Sequence, residues 1–168
     1  MKHYLNRLLS CMLASVLLAP QVQAADPISM EQIRHVIRAT DAASQERNTD
    51  SIGSYLSDSF VRIIETPHEK WMAKVKIDKS DYLGLIEEGW TSTEEYAYHR
   101  DDTVILLMPD GLSGQSYSTV TENVIRDGEH MTSRFREYAV YTIENGRPVI
   151  TRISGHTLVG DTTPASGQ

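Results

Sequence analysis

Two glutamates and a histidine in the last third of the chain are the residues best suited to chemistry. Glu122 and Glu137 lie within runs that alternate polar and apolar residues, and His156 lies in the run that follows. A carboxylate in an apolar cavity can act as a general base, and a histidine can give or take a proton because its ordinary pKa is about 6.5. If the three side chains face one cavity, they predict acid–base chemistry that needs no cofactor.

The strands that hold these residues are predicted from two tight turns. Asp127-Gly128 and Asn145-Gly146 each supply the two successive positions with positive φ that a type I′ turn requires. We therefore predict an antiparallel meander of three strands over residues 114–159. Because each turn has a fixed length, the opposed residues follow by counting outward from it.

The predicted register places a mixed set of apolar and ionisable side chains on one face, since successive residues of a strand point to opposite faces. Glu122 falls opposite Ser133 in the first hairpin. The second hairpin pairs Glu137 with Ser154, Ala139 with Arg152, and Phe135 with His156. We expect this face to line a ligand cavity, and its members are Val120, Glu122, Val124, Met131, Phe135, Glu137, Ala139, Tyr141, Ile150, Arg152 and His156.

The opposite face of the meander is rich in Thr, Tyr and Arg. Such a composition suits a protein surface or a dimer interface, so we expect one of these roles for it. A one-residue bulge in any of the strands would exchange the two faces beyond that point.

Each ionisable candidate also has a structural interpretation. Glu137 and Arg152 are predicted about one pair apart on neighbouring strands, where they would form an ion pair that only neutralises two buried charges. His156 would then be a strand-end histidine with an ordinary hydrogen bond, and Glu122 a residue at the cavity rim. The residues predicted to contact a ligand are Arg152, Phe135, Tyr141, Glu65 and Trp90. The histidines show no spacing typical of zinc ligands, so no metal site is predicted.

The segment before the meander predicts helices and strands in an α+β order. Ser29 followed by Gln32 is a capping box, and apolar residues recur at helical spacing from Ile33, which predicts a helix ending near Glu46. The next predicted elements are a short helix over residues 50–56, a strand over 60–65, a loop or ragged edge strand over 66–76, a helix from Asp78 or Ser80 to about Trp90, and a strand over 94–108 bent at 100–102. Helices segregated in this way pack on one face of the sheet, and the twist of the sheet wraps it around them.

Short motifs at both ends of this region resemble the nuclear transport factor 2-like superfamily, in particular its SnoaL-like and ketosteroid-isomerase-like branches. They are Asn48-Thr49-Asp50 and Ser57-Asp58-Ser59-Phe60 near the start, and Glu144-Asn145-Gly146-Arg147 and Gly155-His156 near the end. The resemblance implies a cystatin-like, cone-shaped roll of three N-terminal helices on a curved, mainly antiparallel sheet over residues 25–159. It also implies a homodimer through the sheet.

The chain departs from the family pattern at two positions. Pro148 stands where the family often has Trp, and Ala42 stands near the position of the tyrosine that ketosteroid isomerases use as a hydrogen-bond donor. Steroid isomerisation is therefore not expected. Several family enzymes have an acid after the first strand, and Glu65 is the nearest match to it here.

The first 24 residues have the basic start, apolar middle and small residues of a secretory signal peptide cleaved after Ala24. We therefore expect a periplasmic or secreted protein without a stable membrane anchor, and residues 160–168 are expected to be a disordered tail. Cleavage would reduce the number of basic residues from 16 to 14 and leave all 23 acidic residues, which gives a net charge of −9. That charge argues against nucleic acid as a partner.

Three functions agree with these observations. The first is an exported domain that binds a small, partly apolar molecule between helices and sheet. The second is a cofactor-free enzyme of isomerase, cyclase or dehydratase type that uses a pocket carboxylate and a histidine. The third is a structural interaction domain that forms a homodimer.

Overall fold

The computed structural model describes residues 27–68 and 71–163. The predicted signal peptide and residues 164–168 of the predicted tail lie outside the described residues. The described residues form an α+β domain, which confirms the predicted class. Its elements are α1 (Met30–Gln45), α2 (Thr49–Ser54), β1 (Leu56–His68), β2 (Trp71–Asp78), α3 (Lys79–Thr91), β3 (Glu95–Leu107), β4 (Ser113–Arg126), β5 (Glu129–Glu144) and β6 (Arg147–Thr163).

The six strands form one mixed sheet in the order β2-β1-β6-β5-β4-β3. Strands β1 and β6 pair in parallel, and every other neighbouring pair is antiparallel. β1 and β2 make a hairpin over the segment predicted as a loop or ragged edge strand, and β6 continues through residues 160–163 of the predicted tail. The first and last of the described strands are therefore neighbours within the sheet.

Side-chain caps begin each of the three described helices. The Ser29 hydroxyl accepts from the backbone N–H of Gln32, and Oε1 of Gln32 accepts from the backbone N–H of Ser29, so the predicted capping box is confirmed. The side chain of Asn48 caps α2 and that of Asp78 caps α3, each by accepting from a backbone N–H three residues on. No helix in the described part of the chain is long and apolar enough to cross a membrane.

The two predicted turns have the expected backbone geometry. Asp127 and Gly128 have φ values of 53° and 74°, and Asn145 and Gly146 have values of 51° and 74°. The register between β4 and β5 agrees with the prediction along its whole length, including Glu122 opposite Ser133.

The predicted register between β5 and β6 is correct beside the turn and wrong beyond it. Tyr141 pairs with Ile150 as expected, but Val140 pairs with Arg152, so Thr151 is an extra residue in a bulge of β6. The bulge moves Ile153 into the core and leaves the charged side chain of Arg152 exposed, which avoids burying its charge.

The bulge therefore changes which residues share a face. The inner face, which packs against the helices, carries Val120, Glu122, Val124, Phe135, Glu137, Ala139, Tyr141, Ile150 and Ile153. The outer face carries Val104, Tyr117, Arg136, Tyr138, Arg152 and His156. Both Arg152 and His156 were predicted for the first of these faces and lie on the second.

A second irregularity lies in β3, where the predicted bend is confirmed. The register shifts by one residue between Asp101 and Val104, and Asp102 has a φ of 52°. Before the bulge, Arg100 lies on the inner face opposite Val120, whereas after it Val104 lies on the outer face opposite Tyr117.

Helix α1 lies directly against the sheet. Its buried Ile33, Val36 and Ile37 pack into one core with Ala139 and Tyr141 of β5. The approach is close enough that a Cβ at Gly114 of β4 would overlap with Cδ1 of Ile33, so any side chain there would have to displace the buried Ile33. The space on the inner face that α1 does not fill is the cavity described next.

Candidate functional site

A cavity of about 340 Å³ lies between the helices and the inner face of the sheet. Most of its wall is apolar and aromatic, and includes Ile52, Leu56, Tyr82, Ile86, Trp90 and Phe135. Its ionisable lining residues are Arg62, Arg100, Glu122, Arg126 and Glu137. An apolar wall with a few polar groups is the usual composition of a small-molecule site.

Four buried charges form a continuous network at one wall of the cavity. Arg100 donates from Nε to both oxygens of Asp41, at 2.9 and 3.1 Å, and from Nη1 to Oε1 of Glu137 at 2.9 Å. Arg62 donates from Nη1 to the other oxygen of Glu137 at 3.2 Å. The network joins α1, β3, β5 and β1, and its two carboxylates balance its two guanidinium groups.

The two carboxyl groups of the network have pKa values that are shifted in opposite directions. Burial by itself would raise the pKa of Glu137, but the guanidinium groups of Arg100 and Arg62 outweigh it and lower that pKa. Burial raises the pKa of Asp41, and its ion pair with Arg100 offsets only part of this effect. Glu137 is thus held ionised between two arginines and is a poor general base.

Glu122 is a buried carboxyl group outside this network. The hydroxyl of Tyr96 donates to its Oε1 at 3.0 Å, and among the described residues no cation lies within ion-pair distance of it. Burial raises its pKa, and the hydrogen bond from Tyr96 and the charge of Arg62 counteract that rise in part. A carboxyl group in this environment keeps its proton to a higher pH than an ordinary glutamate does, and its ionised form can act as a general base.

Aromatic rings surround the buried cations and the cavity. The Arg62 guanidinium lies 5.9 Å from the ring centres of both Tyr82 and Phe135, within the range of a cation–π interaction. The rings of Trp90 and Tyr96 meet edge to face with centroids 5.8 Å apart. These rings provide a rigid apolar wall for a flat ligand.

The structure brings together most, but not all, of the residues predicted for the site. Glu122, Glu137, Phe135, Tyr141 and Trp90 line the cavity, and their parts in binding or catalysis stay predictions. The predicted ion pair of Glu137 with Arg152 is wrong, because the bulge in β6 turns Arg152 outward and Arg62 and Arg100 take its place.

Glu65 and His156 also lie away from the cavity. They border a groove of about 350 Å³ on the outer face, where Glu65 forms an ion pair with Lys74 at 2.8 Å. His156 is exposed and pairs across strands with Arg136. Glu137 and His156 therefore lie on opposite faces of the sheet and do not form a proton relay.

The sequence alone did not assign to the site the lining residues Arg62, Tyr96, Tyr98, Arg100 and Arg126, or Asp41, which contacts Arg100. The sequence does indicate the orientation of Arg62. It lies two residues from both Phe60 and Ile64, so its side chain points to the same face of the strand as theirs. Asp41 likewise follows Ile37 by four residues and so continues the buried stripe of α1. The positions of Tyr96 and Arg100 depend on the pairing of β3 with β4, which the loop between these strands does not fix.

Comparisons with known proteins identify the fold. No family profile and no curated protein sequence matches the chain. A protein assigned as a scytalone dehydratase from Novosphingobium aromaticivorans DSM 12444 is 11% identical with a TM-score of 0.62, covering 83% of this chain and 94% of that chain. The hexachlorocyclohexane dehydrochlorinase LinA-type3 from Novosphingobium barchaimii LL02 is 11% identical with a TM-score of 0.64, covering 82% and 90%.

An NTF2-like protein of unknown function from Pseudomonas putida KT2440 is similar as well, with 13% identity, a TM-score of 0.57, and coverage of 74% of this chain and 83% of that chain. The chain therefore has the nuclear transport factor 2-like fold, as the resemblance of its sequence motifs predicted. At these identities the similarity establishes the architecture, and the function must be argued from the cavity.

The charge network predicts a large stability loss for Glu137→Gln. The substitution leaves Arg62 and Arg100 with an uncompensated buried charge, so we expect the free energy of unfolding at pH 7 to fall by about 3–5 kcal/mol. The folded pKa of Glu137 lies below its ordinary value of 4.5, so this stabilisation is present above pH 4.5 and is lost as the pH falls through the folded pKa. Urea denaturation across that pH range measures it.

Glu122→Gln is the matched control for this experiment. The folded pKa of Glu122 is raised, so its contribution to stability is present below pH 4.5 and is lost as the pH rises through the folded pKa. The variant should therefore be at least as stable as the wild type at pH 7 and above. Equal losses of unfolding free energy in the two variants would show that Glu137 is not needed to compensate the buried charges of Arg62 and Arg100.

Proposed function

We propose that this protein is a binding domain for a small, partly apolar molecule, which occupies the cavity between the helices and the sheet. The observation that supports this most is the cavity itself, about 340 Å³ in volume and lined by aromatic rings together with Glu122. Its size falls within the range of about 300–1,000 Å³ typical of ligand pockets. Our proposal includes a sheet that curves around the helices as a cone, and export to the periplasm or beyond after cleavage at Ala24.

The charge network supports this function by keeping the cavity wall in place. Arg100 contacts Asp41 on α1 and Glu137 on β5, and Arg62 reaches Glu137 from β1. Because these groups satisfy each other, they need no ligand to neutralise them. Because this wall is already fixed before binding, less conformational entropy is lost when a ligand binds.

Filling the cavity should abolish binding of a flat apolar probe. Val124 lines the cavity, so Val124→Phe places extra volume in it, whereas Val104→Phe makes the same change on the exposed outer face. We expect wild type and Val104→Phe to bind 2-naphthamide with a Kd of about 1 mM or tighter, and Val124→Phe to bind at least about tenfold more weakly. Titration followed by NMR chemical shifts measures all three, and equal affinities would contradict the proposal.

A second candidate function, a cofactor-free enzyme that abstracts a proton from carbon, is favoured by the environment of Glu122. Its carboxyl group has a raised pKa, faces the cavity and is oriented by Tyr96. The dehydratase and dehydrochlorinase among the similar structures have names that denote elimination reactions. In this reaction Glu122 would take the proton, and Tyr96 would hold the carboxylate in position.

This candidate predicts a base-catalysed elimination with 5-nitrobenzisoxazole, in which the base removes the ring C–H proton as the N–O bond breaks to give a cyanophenolate. We expect kcat/KM to rise with pH around a midpoint above 4.5, the ordinary value for Glu122. Glu122→Gln should lower kcat/KM about 100-fold or more. Tyr96→Phe removes a hydrogen bond that favours the ionised carboxylate, so it should move the midpoint to higher pH.

The control for the elimination is Glu129→Gln, which removes an exposed carboxylate at the start of β5. It should leave the pH profile unchanged. Activity that survives in Glu122→Gln would exclude Glu122 as the base while leaving the binding function intact.

We also propose that the protein forms a homodimer through the outer face. Val104, Leu106 and Tyr117 are exposed large apolar residues of that face, and the rings of Tyr117 and Tyr138 lie in contact, tilted by 45° with centroids 5.0 Å apart. A row of exposed apolar side chains on a sheet is typical of an interface between proteins.

The proposed dimer predicts that wild type has twice the mass of one chain in light scattering after size exclusion. Leu106→Glu should shift it to the monomer, because a charge would be buried without a partner. Leu112→Glu is the matched control, since Leu112 is 49% exposed against 46% for Leu106 but lies in the loop before β4. A wild-type monomer would contradict the proposal.

A further inference from the structure

Arg126 stands at one end of the inner row of β4. It is the last residue of that strand, follows Glu122 and Val124 on the inner face, and lines the cavity beside Gly89 and Trp90. Unlike Arg62 and Arg100, it has no carboxylate within ion-pair distance among the residues whose side chains the structure describes. It is therefore a cation of the cavity wall that no described side chain neutralises.

Most of the hydrogen-bonding capacity of Arg126 is unused. Among the described residues, its Nη2 donates to the carbonyl of Gly89 at 3.2 Å and no other guanidinium nitrogen has a partner. Its Nε is buried and lacks any hydrogen bond. Buried donors on a charged group are costly to leave without an acceptor, so such a group calls for a specific reason.

Capping of α3 does not supply that reason. The carbonyl of Gly89 already accepts from the hydroxyls of Thr93 at 2.6 Å and Ser92 at 3.1 Å, both shorter than its contact with Arg126. Arg47 also donates to the end of α3, through the carbonyls of Trp90 and Thr93. The helix end is thus satisfied by residues other than Arg126.

We propose that Arg126 binds an anionic group of the ligand, so that the cavity selects apolar molecules that bear a carboxylate. This inference rests on the proposed binding function and specifies its ligand class. A guanidinium group pairs with a carboxylate through parallel N–H···O bonds, and the acceptors come with the ligand. The apolar body of the ligand then lies along Val124 toward the aromatic rings.

The spacing of the polar groups on β4 sets the size of this ligand. Arg126 and Glu122 are separated by four residues along the strand, about 14 Å at ~3.4 Å per residue. A ligand with its carboxylate at Arg126 therefore extends its opposite end toward Glu122 and Tyr96. The hydroxyl of Tyr96 already donates to Oε1 of Glu122, so the carboxylate oxygens of Glu122 are acceptors for a hydroxyl or N–H group at that end of the ligand.

A pair of isosteric probes tests the role of Arg126. We expect wild type to bind 2-naphthoate at least about tenfold more tightly than 2-naphthamide, because only the first bears the charge that Arg126 pairs. In Arg126→Gln this preference should disappear, because the Kd of 2-naphthoate rises toward that of 2-naphthamide. Binding of the amide also shows that the variant is folded. Arg126→Lys should keep part of the preference, since it keeps the charge but loses the fork of donors.

The matched control is Arg47→Gln, which removes an arginine from the same end of α3 but not from the cavity wall. It should retain the preference of the wild type for the carboxylate. If Arg126→Gln keeps the preference, or if wild type binds both probes equally, the role of Arg126 is overturned and the binding function still stands. If wild type binds neither probe, both proposals fail together.

Discussion

Burial of four charges within one domain is the constraint on which the rest of this structure depends. Asp41, Arg100, Glu137 and Arg62 come from a helix and three strands, and each ionised group has its partner in another element. A buried charge without a partner is strongly unfavourable, so the elements can close only in the arrangement that pairs all four. The network therefore specifies how α1 lies on the sheet as much as it stabilises that packing.

The same network explains why the centre of the domain holds a cavity. Ion pairs and the aromatic rings beside Arg62 fill part of the inner face with groups that are held in fixed positions. Apolar residues of α1 fill another part, up to the close contact of Ile33 with Gly114. The groups around the remaining space cannot move into it without breaking these contacts. Glu122 and Arg126, which are not part of the network, line this space.

Interactions between residues close in sequence made the architecture predictable, whereas contacts between distant residues determine which side chains reach the site. The caps at Ser29 and Asp78 and both type I′ turns depend on adjacent residues, so the sequence alone indicates them. Glu122 and Glu137 were placed correctly because they lie on the two strands that the first of those turns joins. The bulge at Thr151 has no local signature; it is decided by whether Ile153 or Arg152 is buried. The partner of Arg62 lies 75 residues away, and no spacing rule connects the two.

The parallel pairing of β1 with β6 has a consequence for how this protein is made. β6 is the last of the described strands, yet it joins the β1–β2 pair to β5, β4 and β3, with Leu56 paired to Ile150. Before that strand leaves the ribosome, the sheet exists only as two separate pieces with unpaired edges. Long-range pairing of this kind makes folding slow, so these edges stay open to chaperones until β6 has been made.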